Sequence, residues 1–399
     1  MTRAVSADPA AIDAATQAYL ATLSADVLAA SKAYTTGGYW LPLWSLVVGA
    51  AVTLILVRSG VLVRLRDRLQ RPGPRPARTA FVVAAAFLGL SWLLHLPWSV
   101  YAEWARERAY GLSHQPLADW LMQSAVGAIV TMLLGGLFLL GLYALIRRAG
   151  RRWWLWSGGF AAASFLFGLL IAPVFVEPLF NDYAPIPDGP VKQAIVKLAD
   201  DSGVPHDRIF VYDGSRQRSV LTANVAGFAG TMRIAVSDVA LKQATLPEVR
   251  AVVAHEIGHY VSGDLLKMIA ALSLLAMAGF FVIDRVFMRV AGWFGAKGVT
   301  GVGDPAGVPV LALLAAAWLT LCQPITNTVT RQFEADADAF SLQLAREPDG
   351  LATALLKTAP YRDPTPHPLA EALFHSHPAI ANRIRMAMEW RAANETAAD

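Results

Sequence analysis

The sequence predicts a mainly α-helical polytopic membrane protein, with about six to seven spans and a small α+β domain. Three observations carry that expectation. Hydrophobic residues make up 55% of the 399-residue chain and charged residues only 16%, where an ordinary soluble domain has about 25% charged residues. Six apolar stretches are long enough to cross about 30 Å of hydrocarbon, which takes roughly 20 residues. The 12 Trp suit a chain with membrane interfaces, where Trp and Tyr collect.

In chain order, residues 1–38 lack the charged region, apolar core and cleavage site of a signal peptide. Pro9–Tyr34 is Ala-rich and punctuated by Asp13, Gln17 and Asp26, so it reads as one amphipathic helix, too polar to span. The six candidate spans follow at Tyr39–Val57, Phe81–Tyr101, Leu121–Ile146, Trp154–Val176, Leu265–Phe287 and Val308–Cys322. Four apolar runs within residues 39–176 argue against globular core helices. Pro309 and Pro324 bracket the last stretch, which predicts a short or bent helix.

Residues 177–263 are different, with ordinary charge density and turn signals. Val191–Asp201 has helical period and Arg208–Tyr212 reads as a strand. Asn224–Phe228 and Met232–Val236 read as a hairpin around Ala229-Gly230-Thr231. Leu246–Val261 reads as a helix. Residues 328–392 are mostly helical, broken near Pro360–Pro368, and residues 393–399 are expected to be a disordered tail. The expected division is therefore 1–38, spans over 39–176, a first catalytic part over 177–263, spans over 264–327, and a second catalytic part over 328–392.

Several classes drop out at this stage. The formal net charge of +4 is modest, and Lys and Arg form no patch interleaved with aromatics, so nucleic acid has no support. A single cysteine, Cys322, excludes an intrachain disulfide and any multi-cysteine metal site. Its apolar run makes it a buried, inert thiol.

The segment with chemistry in it is Ala254-His255-Glu256-Ile257-Gly258-His259. On a helix, His255 and His259 face the same way one turn apart. They can grip one Zn²⁺ and leave Glu256 beside the open position. A catalytic zinc needs three protein ligands and a water. It lowers the pKa of that water, whose proton Glu256 takes and then hands to the leaving amine. HExxH alone would also fit a helix with two solvated histidines, so the third ligand decides. Glu334 and Asp338, in Arg331-Gln332-Phe333-Glu334-Ala335-Asp336-Ala337-Asp338, share one helix face. Glu334 completes a His2Glu set, and Asp338 is placed to hold the second N–H of a ligating histidine. Asp336 reads as a solvated acidic residue.

HEIGH followed by RxxExxxD resembles the M48 metallopeptidases, and within them the Ste24-type CAAX prenyl proteases. Pro97-Trp98-Ser99-Val100-Tyr101 with Glu107-Arg108-Ala109-Tyr110-Gly111-Leu112 is similar to that family's PxSxYxxFxxExxxGFN segment. Pro178-Leu179-Phe180-Asn181 resembles PLFN, and Ile209-Phe210-Val211-Tyr212-Asp213-Gly214-Ser215 resembles IFVxDGS. Leu221-Thr222-Ala223-Asn224-Val225 falls at the HSNAY segment, and Asn327-Thr328-Val329-Thr330-Arg331 is similar to NxxSR. His375-Ser376-His377-Pro378 with Arg383 matches HxSHPxxxxR. The matches run in order over residues 97–383.

The resemblance implies spans enclosing a water-filled chamber, a zincin-type catalytic domain and one zinc per chain. It implies a zinc metalloendopeptidase acting on prenylated or other membrane-associated proteins. On that template Asn224 binds the substrate backbone, His377 stabilises the oxyanion and Arg383 supports the substrate side. Two departures stand out. Six spans plus an amphipathic segment replace the usual seven, and Val225-Ala226 replaces the aromatic of the NAY segment. Arg- and Ala-rich usage points to a bacterial inner membrane. The competing class is a channel, transporter or scaffold with a structural metal. A structural zinc site is normally closed by four protein ligands; only three are found, and Glu256 is intact.

Orientation is contested between charge and resemblance. The loops between spans one and two, three and four, and five and six are Arg-rich, which places them in the cytoplasm and the catalytic parts across the membrane. The resemblance implies the reverse.

Overall fold

The computed structural model describes residues 8–71, 73–227 and 231–395. Five apolar helical stretches have the length and composition to cross a membrane. The longest, Leu117–Leu179, turns back at a 3-10 turn over Gly150–Arg152. Phe138 meets Phe160 at 5.2 Å between ring centroids, so its halves run antiparallel. Among the described residues the candidate crossing helices are therefore six: Leu41–Ser59, Pro76–Ser99, Leu117–Ala149, Trp153–Ile171, Asp264–Trp293 and Val308–Ala345. The shortest has 19 residues, about 28 Å at 1.5 Å per residue.

Their outward faces are apolar and exposed, with Trp44, Ile55, Leu133, Phe167 and Leu321 among the exposed large side chains. Their inward faces make a dry cluster around Leu56, Val83, Tyr143, Phe287 and Val310. Close approach needs small residues: a Cβ on Gly279 would sit 2.5 Å from the Trp318 ring.

The sixth crossing helix corrects an expectation. It neither ends nor breaks at Pro324 but runs 38 residues from Val308 to Ala345. One continuous helix thus carries both the membrane segment and the start of the second catalytic part. Prolines near the start of a helix cost nothing, and an interior proline can be carried by its neighbours. The second span also outlasts its expected form, passing at Val100–Ala105 into a π-helical turn.

The N-terminal segment differs as well. Pro9–Tyr34 is two helices, Pro9–Leu20 and Ala25–Gly38, because Ser24 caps the second by accepting the Val27 N–H. Ile12 packs with Leu351, Ile384 and Met388, so the first helix lies against the last, Ile380–Glu395. The first and last described helices thus meet on one side, which requires an even number of crossings between them. That last helix includes residues 393–395, expected as tail; 396–399 lie outside the described residues.

A four-stranded sheet forms between spans four and five, in the order β1-β2-β4-β3: β1 Tyr183–Pro185, β2 Ile209–Tyr212, β3 Ala223–Ala226 and β4 Arg233–Ser237. β2 and β4 are parallel, and β3 pairs antiparallel with β4 through Asn224↔Ala235. The expected hairpin is present; most of its loop, with Phe228, Ala229 and Gly230, lies outside the described residues. Helices Pro190–Ser202 and Leu246–Ser262 pack on the sheet through Ile195, Ile234, Val253 and Ile257. β3 ends the sheet order, beside the Leu246–Ser262 helix.

Candidate metal centre and active site

The Leu246–Ser262 helix begins with a capping box, Thr245 with Glu248, and stops at Gly263, whose φ of 67° is left-handed. Within HEIGH, Ile257 is fully buried against the sheet. Gly258 lets the sixth crossing helix come close, since a Cβ there would lie 3.3 Å from Ala337 Cα. That contact brings Glu334 opposite the two histidines.

The nitrogens His255 Nε2 and His259 Nε2 are 3.2 Å apart. His255 Nε2 lies 3.3 Å from Glu334 Oε2, and His259 Nε2 lies 3.5 Å from Glu334 Oε1. Zinc bonds of about 2.0–2.1 Å at tetrahedral angles demand ligand separations of about 3.3 Å. The three groups form the candidate metal cluster among the described residues, and buried Glu334 Oε2 has no hydrogen-bond donor. A cation fits this triangle.

Outer carboxylates flank both histidines. Asp338, fully buried, lies 3.0 Å from His255 Nδ1, close enough for an ion pair but without hydrogen-bond alignment. Asp264 Oδ2 lies 3.0 Å from His259 Nδ1. Burial opposes charge on His255, yet Asp338 and Glu334 outweigh it and hold the imidazole up at about 9. Asp336 faces solvent and takes an N–H from Gln332.

Glu256 has a different setting. Its carboxylate forms no ion pair or hydrogen bond with other described residues and faces the cavity that also holds Thr222, Ala223 and His377. Burial raises its pKa against the pull of His255 and His259, in the direction that suits a base working near neutrality.

His377 Nε2 lies 3.2 Å from Glu334 Oε1 and 3.3 Å from Arg362 Nη2, while Nδ1 meets Ser376 Oγ at 2.9 Å. Burial, then Arg362, pushes His377 down to about 3, so it is neutral. Arg383 is not free in the cavity. It is buried and donates twice to Asp338, at 2.6 and 2.7 Å, with Glu334 Oε2 3.5 Å away. Asn224 lies on β3, its amide oxygen buried and unpartnered.

Two residues near the triangle escaped the sequence reading. Asp264 is brought back to His259 only because Gly263 turns the chain, and a glycine stop four residues after His259 was the available signal. Arg362 had no motif around it.

Residues 185–391 match peptidase family M48, and residues 13–182 match "CAAX prenyl protease N-terminal, five membrane helices". Among curated proteins, the uncharacterized metalloprotease YhfN of Bacillus subtilis is 28% identical over 338 residues, 84% of this chain and 79% of that one. The CAAX prenyl protease 1 homolog of Arabidopsis thaliana is 28% identical over 318 residues, 75% and 71% of the two chains. CAAX prenyl protease 1 of Saccharomyces cerevisiae is 26% identical over 319 residues, 75% and 70%. The crystal structure of S. mikatae Ste24p superposes with a TM-score of 0.76 over 92% of this chain and 90% of that one, at 23% identity. That likeness speaks for the fold.

Proposed function

The chain belongs to peptidase family M48, a multi-pass membrane metallopeptidase of Ste24 type, and from that premise we propose a mechanism. The metal is zinc, held by His255, His259 and Glu334, and the substrates are lipidated or otherwise membrane-associated proteins. Zinc, when bound, makes water a nucleophile at neutral pH and polarises the scissile carbonyl. The remaining work falls to the chain.

Glu256 takes the proton of the attacking water and passes it to the leaving nitrogen. The substrate backbone adds to the outer edge of β3, where the Asn224 amide offers a donor and an acceptor. His377, neutral and beside Glu334, offers Nε2–H to the charge developing on the carbonyl oxygen. Its Nε2 has two neighbours with opposite demands: Arg362 can only donate and Glu334 can only accept. With Glu334 serving as a ligand, that nitrogen would be left for substrate. Arg383 fixes Asp338, and Asp338 with Asp264 orients the ligating imidazoles.

One observation carries this reading: three ligand atoms at tetrahedral spacing beside a half-buried Glu256 that has no partner among the described residues. The CAAX prenyl protease relatives support prenylated substrates, and Arg- and Ala-rich composition supports a bacterial inner membrane. The test compares membranes carrying wild type or Glu256→Gln, with released peptides read by mass spectrometry. Fragments released by wild type alone identify the substrates. Identical release by the two enzymes would end the assignment of Glu256 as base.

A further inference from the structure

Three guanidinium groups gather beside the metal triangle: Arg362 and Arg218 lie 5.4 and 5.8 Å from the Tyr361 ring centre and Arg383 lines the same cavity as Tyr361; two of the three have carboxylate partners. Arg218 pairs with Glu107 at 2.8 Å and Arg383 with Asp338 at 2.6 Å. Arg362 has none. Among the described residues its guanidinium meets His377 Nε2 at 3.3 Å and the Tyr361 ring at 5.4 Å. A largely buried cation beside two other cations is costly unless an anion completes it.

Its position says where that anion comes from. Arg362 stands where two cavities meet. One, of about 180 Å³, is lined by Glu256 and two of the metal ligands, His255 and Glu334, and has an apolar wall of Val252, Leu351 and Leu355. The other, of about 290 Å³, opens past Tyr39 and Phe374 toward the first span. From Arg362 Nη2 the path to the triangle runs 3.3 Å to His377 Nε2 and 3.2 Å on to Glu334 Oε1. Extended peptide advances about 3.4 Å per residue, so the guanidinium serves a group within about two residues of the reacting bond.

We propose that Arg362 binds a substrate carboxylate next to the scissile bond and so selects where the enzyme cuts. Two sources share this chemistry, a C-terminal carboxylate on the leaving side and an Asp or Glu side chain; either can take two parallel N–H donors from a guanidinium. The apolar wall takes the neighbouring side chain. This inference rests on the peptidase reading above.

The test uses purified, metal-loaded enzyme in detergent and a random decapeptide library, made once with free C termini and once as C-terminal amides. Cut sites are read by mass spectrometry. A C-terminal source gives cuts within about two residues of the end, enriched roughly 10–100-fold in the free-acid library. A side-chain source enriches Asp and Glu at one fixed position in both libraries. Arg362→Gln should abolish whichever preference appears, read within each variant as the ratio of carboxylate-bearing to acid-free peptides cut, and Arg362→Lys should keep part of it. Metal content of each variant confirms an intact site; if Arg362→Gln lacks metal, the wild-type and Arg362→Lys preferences decide. Cutting by wild type with no carboxylate preference overturns this inference alone, as does an equal fall on all peptides in Arg362→Gln. Failure of wild type to cut either library overturns the peptidase reading with it.

Discussion

The two ends of the membrane bundle treat buried charge in opposite ways. At the end away from the metal triangle, the Val61–Gln70 helix folds under the bundle and Arg66 pairs with Asp304. Asp304 also accepts N–H bonds from Thr300 and Ala306, at 3.1 and 3.0 Å, and Trp153 donates to Asp284 at 2.7 Å. Among the described residues, the buried side-chain atoms without partners there are the hydroxyls of Tyr143 and Thr79. At the other end Glu334 Oε2 and Asn224 Oδ1 are buried without a hydrogen-bond partner, Glu256 has none among the described residues, and Arg362 meets His377 but no carboxylate. Completed charges hold a closed end together; incomplete ones define a place where something else must bind. Unsatisfied buried groups are costly, so they persist where binding repays them.

The largest expected effect comes from taking a ligand from the incomplete end. His259→Ala should reduce retained metal to near zero and abolish peptide release, because two protein groups make a poor zinc site. Metal per chain after purification, by mass spectrometry, checks it. Full stoichiometry in the variant would show that the triangle is not the site.

A finer cut within the same helix contrasts two aspartates two residues apart. Asp338→Asn should cost roughly 10–100-fold in activity or metal affinity, as loss of an outer carboxylate does. It also leaves buried Arg383 without its partner. Asp336→Asn should be nearly silent. Equal losses at the two positions would erase the distinction between buried and solvated faces.

The closed end should respond in stability and not in chemistry. Asp304→Asn removes the buried charge from a guanidinium that still keeps Asp67 and the Gly298 carbonyl, so the cost is that of weakening a charged hydrogen bond, about 1.5–3 kcal/mol. The variant should melt earlier, yet metal content and turnover per folded molecule should match wild type. A turnover loss without a melting shift would mean that the two ends are coupled.

How much of this was legible in the sequence follows from how far each contact reaches along the chain. His255, Glu256 and His259 are set by one helical turn, so their spacing was enough. Glu334 and Asp338 were legible as a pair on one face because a helix repeats locally. Which helix they face depends on Gly258 meeting Ala337, a packing fact without sequence period. The roles of Asp264 and Arg383 depend on where a turn and a distant helix deliver them. Arg362 was invisible because its significance is a missing partner. The sixth span was underestimated for a related reason: Pro324 signals a break locally, and only surrounding helices keep the rod whole.

The smallest perturbation leaves activity untouched and asks which side of the membrane each end occupies. The loop between spans one and two carries Arg58, Arg64, Arg66, Arg68, Arg71, Arg75 and Arg78. Arg147, Arg148, Arg151 and Arg152 follow span three, and Arg285, Arg289 and Lys297 lie at the end of span five. The fold gathers these at the closed end, where Arg66 donates to the Gly298 carbonyl at 2.9 Å. The short loop at residues 102–120 joins the metal end instead, through Arg218 with Glu107 and Arg216 with Asp119. It balances Arg106 and Arg108 with Glu103, Glu107 and Asp119. Arg-rich short loops stay in the cytoplasm, so the metal end should face away from it. Packing of Pro9–Leu20 on Ile380–Glu395 fixes an even number of crossings, so a miscounted span no longer offers an escape. On a Cys322→Ser background, exposed Asp207→Cys reports the metal end and exposed Gln70→Cys the closed end. In spheroplasts a membrane-impermeant thiol reagent should label the first at once and the second only after lysis. The reverse pattern would show that the arginines serve the packing of the closed end and not its retention in the cytoplasm.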